Sequence, residues 1–199
     1  HAEYNVIPTR RLSRQIDQFN TRLEFDLANP SFHPVASAGV NLEVPSLLSP
    51  YTVRSVISCT DCHNNNDSLG PSGPHGSSFE FLLERNYITL DFTQENPSTH
   101  ALCYKCHSRQ SILGDRSFAK HKEHIIDEKT PCSVCHDPHG ISNTQGNPIN
   151  NSHLINFDIE IVGPDSRGRL QFEDRGRFAG QCYLNCHGKE HSPERYPGD

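Results

Sequence analysis

The chain has 199 residues, only 33% of them hydrophobic, with 14 Pro and 13 Gly, a composition too poor in aliphatic side chains to fill a protein-only core easily. A formal charge of -6 with scattered Lys and Arg leaves no basic patch for nucleic acid, and no run approaches the roughly eighteen continuous apolar residues of a transmembrane segment. Cys (8) and His (13) are in marked excess, whereas Met and Trp are absent.

The chain begins at His1 rather than Met, as expected of an exported protein whose leader has been removed. Leu12, Ile16, Phe19, Leu23 and Leu27 recur at helical steps and predict an amphipathic helix over 10–28, with Arg11, Arg14, Gln18 and Arg22 on its other face. Such a helix either packs on its own subunit or docks on a neighbour. Residues 29–56 read as an extended loop carrying His33.

Cys59-Thr60-Asp61-Cys62-His63 follows, then a polar loop ending in Gly73-Pro74-His75-Gly76, a short helix over 78–85 and a strand-like run from Tyr87 to Phe92. Cys103-Tyr104-Lys105-Cys106-His107 comes next. A short helix over 118–126, with His121 and His124 one turn apart, leads to Cys132-Ser133-Val134-Cys135-His136-Asp137-Pro138-His139-Gly140. Phe157, Ile159 and Ile161 alternate with acidic residues as a strand, with 169–172 expected to pair with it. Cys182-Tyr183-Leu184-Asn185-Cys186-His187 closes the series with one extra residue between its cysteines.

The order of attachment site, Pro-His-Gly turn, loop and second site occurs twice. It divides the chain into an N-terminal segment (1–30), a first module (31–115) and a second (116–199), expected to form one compact unit.

All eight cysteines lie in these four motifs, each ending in histidine. Zinc would not require His directly after every second Cys, since adjacent ligands reach one small ion poorly; Cys-x-x-Cys-His is the attachment motif of c-type haem, and it explains all four together. The reading is four haem c groups on Cys59/Cys62, Cys103/Cys106, Cys132/Cys135 and Cys182/Cys186, with His63, His107, His136 and His187 as proximal iron ligands.

Without Met, the sixth iron position falls to the nine remaining histidines. Histidines on opposite faces of one haem hold their Cα atoms on the order of 12 Å apart, whereas three residues span at most about 10 Å. His139 therefore serves a haem other than that of His136, and His100 is a poor partner for the haem at Cys103. His121 and His124 share one helix face and cannot bind opposite sides of one iron. The distal candidates are His139 and His75, then His124, His121 and His33, with His153 and His191 in reserve and His1 a free terminus.

The run Cys-Thr-Asp-Cys-His, Gly-Pro-His-Gly, Leu-Cys-Tyr-Lys-Cys-His, Phe-x-x-His-x-x-His and Cys-Ser-Val-Cys-His-Asp-Pro-His-Gly resembles the doubled Cys-x-x-Cys-His multihaem cytochromes c of metal-reducing bacteria. Size and haem count are similar to the filament-forming extracellular tetrahaem cytochromes, the OmcE-type nanowires. The resemblance implies a mostly irregular, loop-rich fold with a few short helices and little strand, wrapped around four closely stacked bis-histidine haems. It implies electron transfer without catalysis, in a homopolymer outside the cell or at its surface, with redox partner proteins and external acceptors. His33, ahead of every attachment site, is the candidate ligand to a haem of the next subunit. A soluble periplasmic shuttle and a multihaem reductase of a small nitrogen compound are the alternatives.

Overall fold

A computed structural model describes residues 12–197. The chain folds into two compact units: one combines the described residues through Glu43 with those from Cys132 onward, and the other is Val44–Pro131. These boundaries differ from those expected at 30/31 and 115/116. Residues 31–33 leave the first module because β1 (Ser31–Phe32) pairs antiparallel with β2 (Gly140–Ile141), and the His33 N–H then donates to the His139 carbonyl at 2.8 Å.

In the first unit, the helix expected over 10–28 shrinks to α1 (Thr21–Glu24), capped by the Asn20 side chain accepting from the Arg22 N–H at 3.1 Å. Its first two residues lie outside the described part. The cause is Arg14, expected on a solvent-facing side but only 4% exposed. Its guanidinium donates to the carbonyls of Ser133, Asn156 (2.9 Å) and His136 (3.1 Å), and sits 3.8 Å from Asp137. Asn156 ties the same segment down, accepting from the Ile16 N–H at 2.9 Å and donating to the Ile16 carbonyl at 2.8 Å. Three hydrogen bonds from one buried guanidinium, with main-chain bonds between residues 13–15 and 157–159, hold this segment extended, and this outweighs a helix propensity worth tenths of a kcal/mol per residue.

The C-terminal part of this unit is more β-rich than expected. Strands β3 (Val162–Gly163), β4 (Gln171–Asp174), β5 (Gly180–Cys186) and β6 (Lys189–Tyr196) form one antiparallel sheet in which β5 pairs with each of the others. The expected pairing of 157–161 with 169–172 is not made: Phe157 and Asp158 are buried against the N-terminal segment, and β4 pairs with β5 (Phe172 opposite Cys182). His187 and Gly188, at φ 51° and 78°, make the two-residue turn into β6 that positive φ at both positions favours. Phe172, Tyr183, Leu184 and Tyr196 are buried on this sheet.

The second unit is mostly loop. The helix expected over 78–85 is one 3-10 turn, Glu80–Leu82, because Phe81 and Leu82 take positive φ. The run from Tyr87 to Phe92 forms no strand and leaves Leu90 and Phe92 exposed. An unforeseen α2 (Arg109–Leu113) starts at Ser108, whose hydroxyl caps the Ser111 N–H at 3.2 Å. The helix expected over 118–126 appears as a π-helical turn, Glu123–Asp127. Among the described residues, no helix is long and apolar enough to cross a membrane.

Candidate haem sites

Three motifs share one local shape. Cys59–Asp61, Cys103–Lys105 and Cys132–Val134 are 3-10 turns, and the following histidine closes each by donating its N–H to the first cysteine's carbonyl: His63 to Cys59 at 2.8 Å, His107 to Cys103 at 3.0 Å, His136 to Cys132 at 2.8 Å. At about 2.0 Å rise per residue, cysteines three apart on such a turn are separated by about 6 Å along its axis, with the histidine at its end. That arrangement suits two thioether bonds and an axial ligand on one porphyrin.

The three histidine rings that follow these turns are also oriented. Nδ1 of His63 faces the Phe81 carbonyl at 2.8 Å, that of His136 the His153 carbonyl at 2.8 Å, and that of His107 the Ser46 hydroxyl at 2.9 Å. A carbonyl only accepts, so Nδ1 carries the proton in His63 and His136, and Nε2 keeps the lone pair an iron needs. Burial lowers the pKa of His136 to about 4, keeping it neutral. Sequence reasoning missed these anchors, since Phe81 and His153 contribute main-chain carbonyls, which any residue has, and the Ser46 hydroxyl comes from 61 positions away.

Within each unit two motifs are neighbours. Burial pushes the Cys62 thiol up to about 11, and Cys106 adds to the shift. Burial likewise raises Cys135, with Cys182 and Cys186 contributing. In the first unit Asp158 links the two motifs: its N–H donates to the Val134 carbonyl at 2.9 Å, and its carbonyl accepts at 2.8 Å from Val162, which pairs with Cys186. In the second unit Lys105, inside one motif, donates to the Asp61 carbonyl of the other at 2.6 Å and pairs with Glu84. Glu84 in turn donates its N–H to the Cys62 carbonyl at 2.8 Å.

The fourth motif is built differently. Cys182 and Cys186 lie on β5, with a register irregularity between Cys182 and Leu184, and the Cys182 Sγ is 2.8 Å from the Tyr196 hydroxyl. Four residues of strand span about 13 Å, twice the separation on the turns. The residues of the first three motifs thus fit haem attachment as they stand; β5 would have to give up strand pairing to hold one.

The five distal candidates divide between the units. His33 and His139 lie together in the first: His33 Nδ1 is 2.5 Å from the Pro138 carbonyl, and His139 Nδ1 is 2.9 Å from the Glu24 carboxylate. His75, His121 and His124 lie in the second; His124 Nδ1 faces the Lys120 carbonyl at 2.7 Å, and His75 is exposed. Of the others, His153 uses both ring nitrogens, with Asn41 at 2.9 Å and Asp174 at 3.2 Å, and His100, 0% exposed, is held through Nδ1 by the Thr99 hydroxyl at 2.9 Å while its buried Nε2 meets no hydrogen-bond partner. His191 is buried in β6.

No curated protein and no solved structure matches the chain. Residues 50–112, spanning both motifs of the second unit, match the family described as the doubled CXXCH motif. With three motifs folded as attachment turns, this match supports a multihaem c-type cytochrome that binds its haem covalently.

Proposed function

We propose that the protein carries electrons through four covalently bound, bis-histidine c-type haems and is the subunit of an extracellular conductive filament that delivers them to external acceptors. Bound haem supplies a one-electron ferric/ferrous couple. The chain's part is to fix each ring by two thioethers, hold the axial imidazoles in one tautomer and keep water from the porphyrin faces. The observation that carries the reading is the direct tie between two attachment motifs, Lys105 of one donating to the Asp61 carbonyl of the other at 2.6 Å, within the residues that match the doubled CXXCH family. Five candidate histidines for four sixth positions leave little reason for a vacant iron position, so the reading includes no catalysis.

Filament assembly is tested by electron microscopy of the purified protein. Uniform filaments with a one-subunit repeat are expected, and monodisperse particles would favour the periplasmic shuttle. His33 has two uses in this reading. Lying ahead of every attachment site, it is the candidate ligand to the next subunit. Its hold on the Pro138 carbonyl favours a second use, on a haem of its own unit beside His136. His33→Ala separates them: loss of filaments supports bridging, whereas intact filaments with one high-spin haem place His33 within its own subunit.

A further inference from the structure

The Nδ1 contacts of His33, His63, His124 and His136 go to carbonyls and that of His107 to a hydroxyl; that of His139 goes to a carboxylate. Glu24 comes from α1, far away in sequence, and its side chain is 4% exposed against 35% for His139. Several features deliver it. Asn29 Nδ2 donates to the carbonyls of Leu23 (2.7 Å) and Glu24 (3.0 Å), pinning the end of the helix. Gly140 lets that backbone approach, since a Cβ there would lie 2.1 Å from the Glu24 carbonyl oxygen. Phe25, next in the chain, packs its ring 5.3 Å from that of His139.

We infer that Glu24 tunes the haem whose iron His139 ligates, lowering its reduction potential. The inference rests on the proposed ligation by His139. A buried carboxylate accepting the Nδ1 proton gives the imidazole anionic character at Nε2 and makes it a stronger donor. A stronger, more negative ligand favours ferric over ferrous iron, so the reduction potential falls. The carbonyl-anchored rings gain orientation from their partners with much less charge.

The test is Glu24→Gln in the haem-loaded protein, which keeps an acceptor for Nδ1 but removes the charge. Removing such a partner changes metal affinity by tenfold or more. A tenfold change in the ferric/ferrous equilibrium is about 59 mV for one electron. One potential should rise by about that amount with haem content and low-spin spectrum unchanged, while Asp26→Asn, an exposed neighbour losing the same charge, leaves the potentials in place. Glu24→Asp, which keeps the charge but shortens the reach, should move the same haem less and stands in should the glutamine variant fail to accumulate. Unchanged potentials in both variants would overturn the inference. His139→Ala checks its foundation separately: one haem should become high-spin, and a fully low-spin spectrum would remove both the ligation and the tuning built on it.

Discussion

The two Pro-His-Gly turns read alike in sequence and are held in different ways. In Asp137-Pro138-His139-Gly140 the first residue is a carboxylate 6% exposed, accepting from the His139 N–H at 3.0 Å and from Asn156 Nδ2 at 3.1 Å while it faces Arg14. In Gly73-Pro74-His75-Gly76 the corresponding residue has no side chain and sits at φ 122°, and the Gly73 N–H is held by Asn64 at 2.7 Å. One turn is bonded into a buried polar network and presents a half-buried ring; the other leaves its histidine in solvent. A repeated motif therefore fixes where a histidine stands in the chain, and the residue in front of it decides how firmly the ring is held.

The largest effect expected concerns the contrast between turns and strand. Removing both cysteines of a motif, Cys59→Ala with Cys62→Ala, should lower the protein's mass by one haem, and Cys182→Ala with Cys186→Ala should do the same if β5 opens to receive a fourth. Intact-mass spectrometry reads both, and an unchanged haem mass in the second pair would leave three haems and a purely structural β5. Next, Asp137→Gly converts one Pro-His-Gly turn into the other. Breaking a buried charge pair costs about 3 kcal/mol, which a denaturant midpoint detects; His75→Ala should stay within about 0.5 kcal/mol if that exposed ring binds no iron, and a larger loss would mark it as a ligand.

The smallest effect sharpens the comparison between units. In the second unit Arg109 holds the Glu95 carboxylate at 2.8 and 2.6 Å, with Tyr104 at 3.0 Å, and these bonds keep its pKa below the ordinary glutamate range. A depressed folded pKa stabilises above the unfolded value of about 4.3, and this contribution is lost as pH falls from there through the folded value. The loss of stability on acidification should be shallower in Glu95→Gln, measured as unfolding midpoint against pH; identical profiles would show that this pair contributes nothing.

The attachment motifs were legible because covalent chemistry fixes residue type and spacing, and Cys-x-x-Cys-His folds locally whatever surrounds it. The loop-rich character followed from Pro, Gly and the shortage of aliphatics. The helix over 10–28 failed because the pattern that placed Arg14 on a polar face could not register that carbonyls at Ser133, His136 and Asn156, more than a hundred residues away, would bury it. The strand at 157–161 failed for the same reason from the other side of that contact. Glu24 was read only as part of the expected helix, and Lys105 passed as a spacer residue although it ties two motifs together. Contacts of this kind depend on which backbone atoms are brought together, and residue periodicity carries no record of that.

The carbonyls that face the proximal rings have one more consequence. An imidazole whose Nδ1–H is held by main chain cannot easily swing or change tautomer when the charge beyond its Nε2 changes. Phe81 and His153, at φ 57° and 56°, are set in the left-handed region that aims their carbonyls at His63 and His136, so the backbone has taken up that strain during folding. The local dipoles are then already in place before an electron arrives. With haems bound at these rings as proposed, little nuclear rearrangement would have to accompany each transfer, and a low reorganisation energy would keep transfer between neighbouring centres fast even at small driving force.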